Sequence, residues 1–338
     1  MSLQNTFLLL LTLFVASLLL TRLVLLFAPR FGLVDMPGER SSHGRPVPRG
    51  GGLAVVLVCN GFFCWLALTG ALALTDLVML LLSLPIAMVG LVDDWRSLGH
   101  RWRVVAQLLM AVAVFALLRE LPPLHVGGAN LDLGILAWLV VPLAISWLCN
   151  LYNFMDGIDG LAAAQCCFVA AGAAWLIGEQ SESLSLLILG LFVTSAGFLV
   201  WNWSPARVFM GDVGSTWLGF VFGVLILITV REQILTIWVW FLLLSVFIAD
   251  TGWTLGVRLV RGCRPYEAHS SHAYQIAARR FGHAPVVLAI MAINLLYVMP
   301  LAWWAESHPH YGVYLAFSGI VPLIVLCWRL GAGTDRNR

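Results

Sequence analysis

Two adjacent aspartates, Asp93 and Asp94, close the apolar run GLVDDW. An aspartate at the centre of a membrane helix costs about 2.5 to 3.5 kcal/mol and less near the interface, so a pair at the end of such a run calls for a partner. Two carboxylates side by side repel unless a cation or a shared proton lies between them, which makes metal binding or acid–base work the chemistry to look for. A second cluster, NLYNFMDGIDGLAAA from Asn150 to Ala164, sets Asp156 and Asp159 three apart, on one face if that turn is helical. Gly157 and Gly160 let a ligand approach the backbone between them. In a third, WNWSPARVFMGDVGSTWLG, Asp212 precedes an apolar run and reads either as a helix N-cap or as an oxygen ligand for Mg²⁺. That ion takes one or two carboxylates and completes its shell with substrate phosphates and water.

Two further segments carry basic and imidazole groups. RGCRPYEAHSSHAYQ, with Arg258 just before it, places Arg261 and Arg264 ahead of His269 and His272, and two histidines three apart can bind phosphate or pass a proton. Zinc fits less well, because further ligands are not evident. DMPGERSSHGRPVPRGGG is suited to holding anionic groups, with His43 and Arg49 its candidates. The plainer readings are topology and headgroup contact for the arginines and a solvated helix end for Asp93-Asp94.

The elements that must position these groups are membrane helices. Of 338 residues, 61% are hydrophobic and 11% charged, far outside the range of soluble domains. Apolar windows fall at roughly 7–27, 51–69, 75–92, 104–119, 133–149, 161–178, 183–201, 213–230, 234–257, 286–304 and 312–330. They predict an all-α polytopic fold of about eleven spans, forming one integral membrane domain over residues 1–338. The first window is too long for a signal-peptide core and lacks a basic leader, so it reads as a retained helix. The seven cysteines lie mostly in apolar windows without metal-ligand spacing and read as inert thiols. All nineteen basic residues are arginine, which excludes a P-loop and its obligatory lysine.

Alternating the spans sorts the loops into two sets, and one set holds sixteen of the nineteen arginines. By the positive-inside rule that set is cytoplasmic, with the N-terminus outside and the C-terminus inside. Every polar cluster falls in the same set. A transporter would carry ionisable residues near mid-membrane on broken helices, whereas this distribution suits an enzyme meeting a soluble anionic substrate and a membrane-embedded one at a single face.

The order Asp35-x-Pro-x-x-Arg with PxPRGGG, then GLVDDW, NxxNFMDGIDGLA, PARVFMGDVGS and a histidine-bearing loop resembles the polyprenyl-phosphate N-acetylhexosamine-1-phosphate transferases, glycosyltransferase family 4. Within it, EAHSSHAYQ looks most like the enzymes that initiate bacterial O-antigen or other surface polysaccharides. The resemblance implies transfer of N-acetylhexosamine-1-phosphate from a UDP-sugar to undecaprenyl phosphate in the bacterial inner membrane, with UMP released at the cytoplasmic face. It implies Mg²⁺ as cofactor with Mn²⁺ as a substitute, the lipid bilayer as partner and no nucleic acid, and it is compatible with a homodimer. Residue by residue, it points to Asp93, Asp94, Asp156, Asp159, His269 and His272 as catalytic and to Asp212 with Asp93 as metal-binding. Asn153, Asn202, His43, Arg49, Arg101 and Arg264 are the substrate-binding candidates. Two departures matter. HSSH replaces the HIHH or HHH of better-known branches, and a basic position often filled by lysine can only be Arg101 or Arg103, of which Arg101 is the candidate. The alternative within the superfamily is a phospho-N-acetylmuramoyl-pentapeptide-type transferase; a transporter is the reading from another class.

Overall fold

The computed structural model describes residues 2–36, 46–118, 120–263 and 269–334. Fifteen α-helices are formed among them. The first eight are α1 (Leu3–Phe27), α2 (Gly52–Leu68), α3 (Leu74–Leu81), α4 (Ser83–Trp95), α5 (His100–Leu118), α6 (Ala137–Phe154), α7 (Leu161–Ile177) and α8 (Glu182–Asn202). There follow α9 (Asp212–Arg231), α10 (Ile237–Leu243), α11 (Ser245–Val260), α12 (Ala273–Phe281), α13 (His283–Ile293), α14 (Met299–Ser307) and α15 (Gly312–Leu330). Two short antiparallel hairpins are the sheet: β1 (Val34–Asp35) with β2 (Val47–Pro48), and β3 (Leu124–Val126) with β4 (Ala129–Leu131).

Among the described residues nine helical stretches are long and apolar enough to cross a membrane, and a bent pair makes a tenth. Each apolar window of the sequence is filled by helix, but not each by an uninterrupted span. The window at 51–69 holds the seventeen-residue α2, and the one at 234–257 breaks into α10 and α11, which meet at 75°. Hydropathy reports burial in apolar surroundings and is blind to this bend, because the residues on both sides of it are equally apolar. A bend frees backbone carbonyls that cannot be left bare in an apolar interior. Here the Leu243 carbonyl accepts from Gln165 Nε2 at 3.1 Å, and Gln165 Oε1 accepts from Asn294 Nδ2 at 2.6 Å.

Helix α9 lies at the centre of the bundle: 94% of its span is buried, against 17 to 78% for the other spans. Small residues let its neighbours come close, since lipid gives helices no hydrophobic drive to associate and backbone approach must supply the packing. A Cβ on Gly52 of α2 would run into the backbone of Gly214, and one on Gly90 of α4 would stand 2.5 Å from the Asp212 carbonyl. This approach of α2 and α4 brings the β1–β2 hairpin and the aspartate pair to the N-terminus of α9. At the far end, Arg231 closes α9 onto Asp76 of α3 through two bonds of 2.9 and 3.0 Å, and Gln180 meets Glu306 at 3.2 Å. The two loop sets of the sequence thus correspond to two ends of the bundle.

Candidate active site

The N-terminus of α9 leaves backbone N–H groups without helical partners. Asp94 takes two of them: its fully buried carboxylate accepts from the N–H of Asp212 at 2.9 Å and of Val213 at 3.1 Å, and Arg49 Nη2 lies 2.6 Å from it. Gly211 makes room for this contact, with φ at 76°, and a Cβ there would stand 2.5 Å from Asp94 Oδ2. Asp93 turns the other way. It accepts from the Leu98 N–H at 2.6 Å and from Arg103 Nη1 at 2.9 Å, and the same nitrogen reaches Asp212 Oδ2 at 2.5 Å. The repulsion expected between adjacent aspartates is therefore relieved by two arginines, each bridging a different member of the pair toward Asp212. Burial works against the charge of Arg49, and the carboxylates of Asp94, Asp212, Asp35 and Asp156 outweigh it, raising its pKa.

Beside these groups opens a cavity of about 340 Å³. Its walls are Asp35 and Arg49 from the β1–β2 region, Asn153 near the end of α6, the turn from Asp156 to Asp159 ahead of α7, Asn202, Phe209, Gly211, Asp212, Gln275 and His283. Burial first, then the nearby charges of Asp212 and Asp94, push the Asp156 carboxyl well above the ordinary carboxylate range, with Arg49 opposing. Asp159 goes the other way. Burial would raise its pKa, but hydrogen bonds from His283 and from the Ala206 N–H, at 3.2 and 3.0 Å, hold it below the usual value. Asn202 spends its amide on the backbone, accepting from the Gly160 N–H at 3.1 Å and donating to the Val208 carbonyl at 2.9 Å. Asn153 Nδ2 donates to Ser215 Oγ at 3.1 Å.

The structure thus brings together Asp93, Asp94, Asp156, Asp159, Asp212, Asn153, Asn202 and Arg49. The histidine pair is placed differently from the sequence expectation. His272 is buried at the N-terminus of α12, its Nδ1 3.1 Å from Asp250, and its ring stacks on that of His269 at 4.9 Å; neither ring lines the cavity. Arg101 is exposed at the start of α5, and Arg103, two residues on, occupies the site in its stead. Helical geometry decides between them, because a shift of two residues turns a side chain to the opposite face. His43 and Arg264 lie outside the described residues. Gln275 and His283 were not singled out from the sequence: His283 is 124 residues from Asp159 and opens an apolar helix, so its only signal was membership of the arginine-rich loop set.

A Mg²⁺ ion requires oxygen donors, and this set supplies them. Among the described residues no three acidic, histidine or cysteine side chains converge on one point. The ion needs only one or two carboxylates when substrate phosphates complete the shell. Asp156 fits that part as a cavity-lining carboxylate, and Asp212 lines the same cavity with Oδ2 held by Arg103 and Oδ1 further from Arg49, at 3.7 Å. Asp93, the other metal candidate, has both oxygens occupied by Leu98 and Arg103.

Fold and site together define a polytopic membrane protein with a carboxylate-rich, arginine-bearing cleft at one end of its helices. Residues 77–230 match the sequence profile of glycosyl transferase family 4. The chain is 28% identical over 291 residues to the "Probable undecaprenyl-phosphate N-acetylglucosaminyl 1-phosphate transferase" of Bacillus subtilis, covering 83% of this chain and 79% of the relative. It is 26% identical over 289 residues to the undecaprenyl-phosphate alpha-N-acetylglucosaminyl 1-phosphate transferase of Thermotoga maritima, covering 84% and 86%. A phospho-N-acetylmuramoyl-pentapeptide-transferase of Halalkalibacterium halodurans is 27% identical over 315 residues, covering 85% and 93%. The profile spans less than half of the chain, and the likeness to these relatives extends beyond it on both sides.

Proposed function

We propose that this protein transfers an N-acetylhexosamine-1-phosphate from a UDP-sugar to undecaprenyl phosphate at the cytoplasmic face of the bacterial inner membrane, the initiating step of O-antigen or another surface glycan. The observation that carries this reading is the cleft in which Arg49 and Arg103 bridge Asp93, Asp94 and Asp212 at the end of a membrane bundle. Such a place admits a soluble anionic donor and a lipid phosphate together. A lipid phosphate oxygen attacks the β-phosphorus of the donor, and the bridging oxygen departs with its electron pair as part of UMP. Arg49 and Arg103 hold the anionic groups and offset their charge through charge-assisted hydrogen bonds. Asp94 fixes the start of α9 and with it Asp212. A phosphate monoester has a second pKa near 6, so the attacking oxygen requires no strong base. Asp212 and Asp156 would hold Mg²⁺, or Mn²⁺ in its place, and the ion would supply charge neutralisation to the pyrophosphate.

The test is to incubate membranes carrying the protein with undecaprenyl phosphate and a panel of donors, and to measure UMP release and the lipid product. UDP-N-acetylglucosamine and its 4-epimeric and 6-deoxy relatives are expected to give a diphosphate-linked lipid. The pentapeptide transferase among the relatives is the ground for the second reading. Turnover of UDP-N-acetylmuramoyl-pentapeptide alone would replace the first with the second, and release of UMP with none of the donors would sink both.

A further inference from the structure

The walls of the cleft differ in charge. At one wall Arg49 brings a guanidinium to the cavity, flanked by Asp94 and Asp212. Around Asp159 the partners include the Ala206 N–H, the Ser204 side chain and the ring of His283, with Asn202 holding the adjoining Gly160 N–H. His283 begins α13, lines the cavity and keeps 15% of its side chain exposed. Its Nδ1 lies 3.2 Å from Asp159 Oδ2. The Asp159 backbone N–H also meets Nδ1, at 3.4 Å, so both contacts of the ring fall on that nitrogen and Nε2 is the one with hydrogen-bonding capacity to spare. In neither protonation state does the Asp159–His283 pair carry net positive charge. It holds no permanent cation, whereas the wall at Arg49 does.

We propose that His283 is a specificity-determining residue whose Nε2 hydrogen-bonds an uncharged polar group of the donor, a hydroxyl or carbonyl of its nucleoside or of its sugar. This rests on the reading of the donor as a UDP-sugar. Asp159 then acts as a positioning residue, setting the angle of the ring through its carboxylate and its backbone N–H. The turn that carries it, Asp156-Gly157-Ile158-Asp159, also carries the carboxylate assigned to the cation, so the two recognition tasks share one rigid segment.

The purified protein provides the test through two variants. His283→Asn keeps an amide near the Nδ1 position, within reach of Asp159, and withdraws the group that faces the cavity; His283→Gln places an amide near Nε2. Loss of one hydrogen bond predicts a KM for the UDP-sugar about tenfold higher in His283→Asn with kcat changed far less, and recovery of most of that loss in His283→Gln. Inhibition by UMP separates the two sources of the polar group. A weakening by the same factor in His283→Asn assigns the contact to the nucleoside, and unchanged UMP inhibition assigns it to the sugar. Wild-type KM in His283→Asn overturns the inference, as does a fall in kcat and melting temperature that His283→Gln does not repair. A wild-type protein that turns over no UDP-sugar overturns the donor reading first and this inference with it, so the two failures are told apart.

Discussion

The residues of the cleft owe their chemistry to partners that lie far away in the chain. Arg103 links Asp93 to Asp212 across 109 positions of sequence separation, at 2.9 and 2.5 Å. Hydrogen bonds involving charged groups contribute about 1.5 to 3 kcal/mol each, so Arg103→Ala is expected to lower kcat/KM by roughly ten- to a hundredfold. Arg101→Ala, two positions away and exposed, should stay within about 0.5 kcal/mol of the parent. Equal effects from the two would remove Arg103 from the site. Asp156 predicts a pH dependence. Its carboxyl is held above the ordinary range by burial and by Asp212 and Asp94, so between that ordinary value of about 4 and the raised one the folded chain binds a proton that the unfolded chain does not. Stability in EDTA should therefore fall as pH rises through this window, and Mg²⁺ should restore it by replacing the proton. Melting temperature read against pH checks this: Asp156→Asn is expected to flatten the curve, and a wild-type curve already flat would deny the shift.

At the scale of elements, the helices that carry the site are held by buried acids at their N-termini. Asp94 does this for α9, and Asp250 does it for α12, accepting from the N–H of Ala273 at 3.0 Å and of Tyr274 at 2.9 Å as well as facing His272. From α12, Tyr274 Oη reaches the Phe154 carbonyl at 2.8 Å beside Gly157, and Gln275 reaches the cavity. Removing one partner from a buried charged set costs about 3 to 5 kcal/mol. Asp250→Asn and His272→Ala are thus both expected to lower the melting temperature of the purified protein together with its activity. A catalytic His272 would instead lose activity at an unchanged melting temperature, and that result would return the HSSH segment to the chemistry. Sequence spacing alone could not separate these roles, because a histidine that caps a helix and one that meets phosphate occupy the same kind of polar loop.

For the whole molecule, the arrangement of charge along the bundle predicts how it sits in the bilayer. The carboxylate and arginine cleft occupies one end, while Arg231 with Asp76 and Gln180 with Glu306 occupy the other. With the seven native cysteines replaced, single cysteines at positions 100 and 269 should resist an impermeant reagent in intact cells, and those at 179 and 306 should react. Labelling at 269 from outside would reverse the orientation and remove the cleft from the cytoplasm, since the clusters share an end.

Composition alone determined that this chain is a bundle of membrane helices, because 61% hydrophobic residues in windows of bilayer length leave the backbone no other way to satisfy its hydrogen bonds. The positions of the acidic clusters were legible too, since Asp93, Asp94, Asp156, Asp159 and Asp212 interrupt apolar sequence at a cost that must be met. Only the tertiary structure decided what each does. Asp94 became a cap and Asp156 an uncompensated carboxyl because of which backbone N–H and which arginine packing brought to them, and nothing local to either residue encodes that. The same holds for the break between α10 and α11, for Arg103 over Arg101, and for His283 at Asp159: each is set by a contact between segments distant in sequence, where side-chain direction and helix crossing, rather than residue type, fix the outcome.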